Sequence, residues 1–486
     1  MLVVACLLMG CQTSTPAPAV VPTETSAPAA TPTTAPTQTP APTPTPVLKS
    51  GTGTEPITLI IENQSTEAIS IFWLDFDGVE QPYGEIDPTA SFKSESFSTH
   101  AWRLKDKAGN VIAQIVDTPE KYQLYQIKAD KTVAQVEYNP CKLPVAAGSN
   151  VGMGIPKMAD YMPSTGTVKA VVLFVDFPDV QSTQKPEDVL ALISPGAEKF
   201  YNDISYGRMT FQFAPLLKWL RLSQPSAHYA KGLNTYEGHQ AFIQEAIDLA
   251  GAEADFSGAK TVIVLSNPRA QALPIGPAFG GVNGIQTNAG KLANGVTSGF
   301  DLNKWGFLWL NHEVGHNMTL PDLYAYDTKA GDQLRFTGTF GLMGDIGGKA
   351  PEYFAFERWM LGWLDDNQVV CQLTNEATTT LTAIENKDGT KAVMVPTGPT
   401  SAIVIESRRA LGYDKKIVKT GALVYVVDTS IASGAGVIQV YPIKKNDPVF
   451  NKAPLAVGES LTVGKVTVTV TEATDTGDTI KVTVAQ

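Results

Sequence analysis

Residues 300–318 read FDLNKWGFLWLNHEVGHNM. An apolar run, Phe307 to Leu310, leads into His312-Glu313-Val314-Gly315-His316. His312 and His316 are four residues apart, so on a helix they lie one turn apart on the same face. Two imidazoles so placed can hold one metal ion, at about 2.0–2.1 Å if it is zinc. Glu313, beside them, is the group expected to take a proton from metal-bound water and pass it to a leaving amine. Zinc is the expected cofactor: it brings the pKa of bound water to about 7 and polarises a carbonyl. Calcium is left open, with no motif for it. A bare H-E-x-x-H also occurs in unrelated chains, as a helix with two unconnected histidines. Here two of only five histidines fall in it.

The segments before the motif alternate in period. VKAVVLFVDFPDV (168–180) reads as a buried strand, followed by a helical pattern through EDVLALISPGAEKFYNDIS (187–205). RMTFQFAPL (208–216) is a strand, HQAFIQEAIDLAGA (239–252) a helix and AKTVIVLSNP (259–268) a strand. Such alternation predicts an α/β domain whose sheet is covered by helices.

HEVGHNMTLPDLY (312–324), GTFGLMGD (338–345) and PEYFAFERWMLGWL (351–364) together resemble the immune-inhibitor-A-like zinc metalloproteases, a metzincin-type zincin group. SAIVIESRRALGYD (401–414) and GALVYVVDTS (421–430) extend the resemblance, which runs from about residue 150 to the C-terminus. It implies a zincin-type catalytic domain hydrolysing peptide bonds, with a third ligand six residues after the second histidine. Here that residue is Asp322; Asp345 and Glu357 are the other carboxylates considered. The methionine of the turn beneath the metal corresponds to Met343. One departure stands out: Thr319 occupies a position where the family usually has Gly. A β-branched residue resists positive φ, so a rearranged turn is expected there. Tyr324 and Tyr326 lie close enough to approach an oxyanion, with aromatic packing as their expected role. His228 and His239 read as ordinary surface or packing residues.

Further out, ITLIIENQ (57–64) and AISIFWLDF (68–76) read as strands, with Asp77-Gly78 as a turn. HAWRLKDKAGNVIAQIV (100–116) reads as a hairpin with Gly109-Asn110 at its tip. IFWLDFDGVEQPY (71–83) and SESFSTHAW (94–102) resemble the β domain of the von Hippel–Lindau protein, over roughly residues 57–125. That family binds hydroxyproline within an extended peptide. The positions matching its pocket are Trp73, Tyr83, Ser96, His100 and Trp102. The aromatic three would wall a slot for a pyrrolidine ring, and Ser96 and His100 would hydrogen-bond its hydroxyl. A site built around a hydroxyl rejects the analogue that lacks it. Taken singly, each of these residues is more simply a core aromatic or a structural histidine.

At the N-terminus, Leu8-Met9-Gly10-Cys11 resembles a bacterial lipoprotein signal in which Cys11 is lipidated. The apolar run is too short to span a bilayer, which needs about 20 residues, and the usual basic residues before it are missing, as in a truncated start. Residues 12–48 hold ten of the 33 prolines and a single charge, Glu24. This composition favours an extended, solvated tether. Cys141 and Cys371 bracket the α/β segment; a disulfide between them is one expectation, and a zinc-capping Cys141 thiolate another. The net charge of −11 and the absence of a Lys/Arg run exclude a nucleic-acid role.

The expected organisation is a signal over 1–11, a Pro/Thr-rich linker over 12–54, a β-sandwich over 55–138, a zincin-type α/β domain over 139–375 and an all-β domain over 376–486. The expected protein is a zinc endopeptidase, an extracellular lipoprotein on a bacterial surface, anchored to the membrane through its lipid. Its partners would be protein or peptide substrates, with the β module recruiting hydroxyproline-bearing chains of collagen-like or plant cell-wall type. The alternatives are a catalytically inactive adhesin that binds hydroxyproline peptides, and a β module that is a spacer or pro-region.

Overall fold

The computed structural model describes residues 47–485 apart from 89, 147–150, 159, 282–283, 443–446 and 448. Cys11 and the tether up to residue 46 lie outside the described residues. The chain divides into two compact units between Glu137 and Tyr138. Among the described residues no helix is long and apolar enough to cross a membrane.

In the first unit, successive residues of a strand point to opposite faces, so Ile57, Leu59 and Ile61, or Ile69 and Ile71, point into the core together. The strands are β1 (Pro56–Asn63), β2 (Ile69–Leu74), β3 (Glu80–Ile86), β4 (Ser91–Phe97), β5 (Ala101–Lys105), β6 (Val111–Val116), β7 (Tyr122–Ile127) and β8 (Val133–Val136). They form two sheets, ordered β4-β1-β7-β8 and β3-β2-β5-β6. Ile57, Leu59 and Ile61 of one sheet share a core with Ile69, Ile71, Trp102 and Leu104 of the other. Each fully buried aliphatic of this size contributes about 1.5–3 kcal/mol. Gly78 and Gly109 both sit at φ 85°, making the turns that Asp77-Gly78 and Gly109-Asn110 predict.

The second unit is built on a five-stranded sheet of β9 (Gly166–Asp176), β10 (Met209–Arg221), β11 (Ala259–Ser266), β12 (Ala278–Phe279) and β13 (Gly295–Thr297). Its order is β10-β9-β11-β13-β12, parallel except for β12 at the edge. The central strand β9 is buried on both faces. Ala170, Val172 and Phe174 face one core, while Val171, Leu173 and Val175 face the other. This explains its continuous apolar run. Helix α2 (Tyr236–Ala250) packs in the second core. Helices α1 (Gly196–Ile204), α3 (Phe307–Asn317) and α4 (Ala355–Met360) supply the first.

The helical pattern expected through 187–205 is interrupted: Pro186–Leu190 and α1 are separate helices. Pro195 has no N–H to continue the ladder and begins α1 instead. Gly196 follows because a Cβ there would lie 2.5 Å from the Phe307 ring, at the start of α3.

Beyond residue 368 the described residues form strands and turns, with one short 3-10 helix at Gly412–Asp414. One sheet runs Val369–Cys371, Ala392–Pro396, Ser401–Arg408, Gly421–Asp428 and Ile438–Tyr441. Its Met394, Val404 and Tyr425 join the core beneath α3 and α4, so its inner face closes that core. Its Val393, Ile405 and Val424 face a second sheet made from Glu376–Thr382, Ser460–Val463, Val466–Thr474 and Gly477–Val484. Cys141 and Cys371 form a disulfide across a sequence separation of 230. Closing a loop of that length restricts the unfolded chain by about 5.5 kcal/mol. Reduction is therefore expected to lower the denaturant midpoint markedly; coincident unfolding curves with and without reductant would deny the bond that role.

Candidate metal centre and ligand pocket

α3 carries His312 and His316 on one face, their rings 4.9 Å apart and nearly perpendicular. Each ring is held by a main-chain carbonyl at Nδ1: His312 by Leu342 at 3.0 Å, His316 by Leu320 at 2.7 Å. A carbonyl only accepts, so both Nδ1 atoms carry a proton, and in the neutral rings each Nε2 keeps a lone pair. The two Nε2 atoms lie 3.1 and 3.4 Å from Asp322 Oδ1. One ligand atom from each of the three residues falls within 4.8 Å of the other two. Asp322 Oδ1 is buried and makes no hydrogen bond among the described residues despite these short approaches. Three lone-pair donors around one point, with outer atoms oriented by the fold, form a donor set that fits a divalent cation.

The electrostatics agree. Burial alone would raise the Asp322 carboxyl, but His316 and His312 hold it well below the usual carboxylate range. Burial pulls the His316 imidazole down, and the Asp322 carboxylate more than offsets this, bringing it up to about 9. The cluster thus attracts positive charge. Burial pushes the Glu313 carboxyl up to about 7, against the pull of His312 and His316.

Met343 is fully buried in the turn after Leu342, and its carbonyl accepts from Leu323 N–H at 2.9 Å, tying that turn to the segment bearing Asp322. Gly315 explains the close fit: a Cβ there would lie 2.6 Å from Met343 Sδ and 3.0 Å from the Tyr353 hydroxyl. Gly315→Ala is therefore expected to destabilise the protein by about 1–3 kcal/mol through overpacking, although Ala is the better helix former by about 1 kcal/mol. An unchanged melting midpoint and zinc content would contradict this.

Several expectations need correction. The turn after α3 is not rearranged: Thr319 takes φ 80° itself, fully buried, and its hydroxyl has no partner among the described residues. Such a conformation costs on the order of 1–3 kcal/mol and persists because the surroundings enforce it. The enforcing bonds are His316 O to Thr319 N–H and Thr319 O to Gly152 N–H. Asp345 and Glu357 lie outside the ligand cluster. Glu357 accepts from Phe354 N–H at the start of α4, and Asp345 from Gly347 N–H. Tyr326 does more than pack. It is 56% exposed, and its hydroxyl donates to Asp322 Oδ2 at 2.5 Å and meets Ser433 Oγ at 2.9 Å. Ser433 Oγ also accepts from Asp322 N–H. Sequence reasoning missed Ser433, which sits in a loop of the strand-rich region with no motif around it. Tyr324 stacks along His312 with ring centroids 6.3 Å apart. Beside the cluster, Tyr161, Tyr236, Phe279 and Tyr326 line a cleft of about 480 Å³ that reaches His316 and Asp322. His228 is exposed, and His239 is a packing residue against Phe279.

In the first unit the five pocket positions come together at one end of the sandwich. Trp73 on β2 and Trp102 on β5 are direct cross-strand partners. Tyr83 falls in a β3 bulge opposite the Ile71/Phe72 step and packs edge-on against Trp102 at 4.9 Å. Ser96 lies next to the end of β4 on the opposing sheet, and its Oγ lies 3.3 Å from His100 Nδ1. The His100 ring stands 5.5 Å from Trp73, with exposed Phe76 and Phe97 at 6.1 and 5.6 Å. Burial lowers the His100 pKa, with Asp117 opposing. Trp73 Nε1 is a buried donor without a partner among the described residues. A sixth residue, Asp117, lies at the centre: its Oδ2 accepts from Ser96 Oγ at 2.6 Å and from Trp102 Nε1 at 2.9 Å. A lone Asp after an alternating strand carries no sequence signal for this.

Residues 48–124 match the family model of the VHL beta domain. A solution structure of a protein from Eubacterium rectale is 17% identical over 18% of this chain and 92% of that one, with a TM-score of 0.13. The crystal structure of metalloproteinase-II from Bacteroides fragilis is 14% identical over 63% of this chain and 85% of that one, with a TM-score of 0.24. At these scores neither structural likeness carries weight.

Proposed function

We propose that this chain is a zinc-dependent endopeptidase of the zincin type whose first β unit binds hydroxyproline-containing polypeptides. The observation carrying the first part is the convergence of His312 Nε2, His316 Nε2 and the unbonded Asp322 Oδ1. Zinc held there would supply Lewis acidity, lowering the pKa of a water and polarising the scissile carbonyl. Glu313, whose carboxyl burial brings to about 7, would take the proton from the attacking water and return it to the leaving amine. Leu342 and Leu320 fix the histidine rings, and Tyr326 and Ser433 fix Asp322. The aromatic cleft would hold a substrate side chain beside the scissile bond.

The second part is supported by the VHL beta domain match and by the grouping of Trp73, Tyr83, Ser96, His100 and Trp102. Domains of this kind bind hydroxyproline peptides. Collagen-like or plant cell-wall proteins held by this unit would reach the peptidase on the same chain at high effective concentration. A lipidated Cys11 and the Pro/Thr-rich tether would hold the enzyme at a bacterial surface.

The test is proteolysis by the full chain of gelatin, which bears hydroxyproline, and casein, which lacks it, with and without a zinc chelator. Cleavage of both that the chelator abolishes, with gelatin preferred, is the expected result. Chelator-resistant cleavage, or zinc bound without cleavage of either, would overturn the peptidase reading. Equal rates on the two substrates would overturn the recruiting role.

A further inference from the structure

Asp117 is 2% exposed and is pinned to the loop that carries His100. Its N–H donates to His100 O, and its carbonyl accepts from Thr99 N–H, both at 2.8 Å. Thr99 itself takes φ 72°. The Trp102 indole is a donor only, so the carboxylate receives that bond, and it receives the Ser96 hydroxyl on the same oxygen. A hydroxyl has one proton. With Ser96 committed to Asp117, the 3.3 Å contact between Ser96 Oγ and His100 Nδ1 requires His100 to donate. A neutral imidazole protonated at Nδ1 leaves Nε2 as an acceptor.

We propose that Asp117 is a positioning residue that sets the hydrogen-bond polarity of Ser96 and His100, so that the pocket reads a ligand hydroxyl as a donor. The inference rests on the hydroxyproline reading above and deepens it. Both polar groups offer lone pairs, and a second carboxylate oxygen, Asp117 Oδ1, lies behind them with no partner among the described residues. A 4-hydroxyl supplies the missing proton. A C–H or C–F group cannot, and leaves buried acceptors unpaired, which amounts to a loss of about tenfold or more in affinity.

The experiment is calorimetric titration of the full chain with three peptides that differ only in a central 4-hydroxyproline, proline or 4-fluoroproline. The native protein is expected to bind the hydroxyproline peptide at least about tenfold more tightly than either other. Asp117→Ala frees the Ser96 proton, so the hydroxyproline-to-proline ratio falls by about tenfold and the fluorinated peptide gains on proline. Asp117→Asn keeps an acceptor oxygen opposite Ser96 and Trp102 and retains the ratio. A merely structural role would weaken all three peptides alike. An unchanged ratio in folded Asp117→Ala, or its loss in folded Asp117→Asn, overturns the assignment while leaving the hydroxyproline reading intact. No preference in the native protein overturns both. Should Asp117→Ala fail to fold, nitrogen NMR of His100 in the native protein decides the matter: the Nδ1–H tautomer is expected, and the Nε2–H tautomer overturns the proposal.

Discussion

Glu313→Gln is expected to reduce kcat/KM on casein by on the order of 10²–10⁴-fold while leaving zinc bound. The amide has the shape of the carboxylate but cannot take a proton from water. Glu313 is outside the three-residue ligand cluster, so its replacement leaves His312, His316 and Asp322 in place. Nor does it touch the carbonyls of Leu342 and Leu320 that aim the rings. Zinc stoichiometry and the melting midpoint, measured beside the kinetics, separate lost chemistry from lost structure. Near-native turnover with zinc bound would remove Glu313 from the proton-transfer role and leave the site a binding centre.

Asp322→Ala is expected to lower zinc affinity by more than the 10- to 100-fold typical of losing an outer partner. Its Oδ1 stands within 3.4 Å of both imidazole nitrogens and has no other bond among the described residues. Without it, two neutral imidazoles remain, and the negative charge that draws a cation inward is gone. Tyr326→Phe should give the smaller loss expected of an outer partner, about tenfold, since it removes only the hydroxyl that steadies Oδ2. Chelator competition reads both. Full zinc stoichiometry in Asp322→Ala, at native affinity, would exclude it as a ligand.

Whatever depends on local periodicity was legible in the chain. The four-residue spacing puts His312 and His316 on one face of α3, because helical geometry repeats every 3.6 residues. The alternation in 57–64 and the apolar run Ala170–Val175 each announced a strand; β9 is buried on both faces, and β1 is buried from Ile57 to Ile61. Family resemblance singled out Asp322 and Met343, which no periodicity would. The layer outside these groups came from packing. Ser433 reaches Asp322 across 111 residues, and Asp117 reaches Ser96 across 21. Thr319 holds a left-handed turn that its side chain disfavours because Gly152 and His316 bond its backbone. Such partners arrive on loops brought in by sheet packing. Their contribution is one hydrogen bond in a particular direction, and a single bond of that kind leaves no repeat in the chain for a sequence to display.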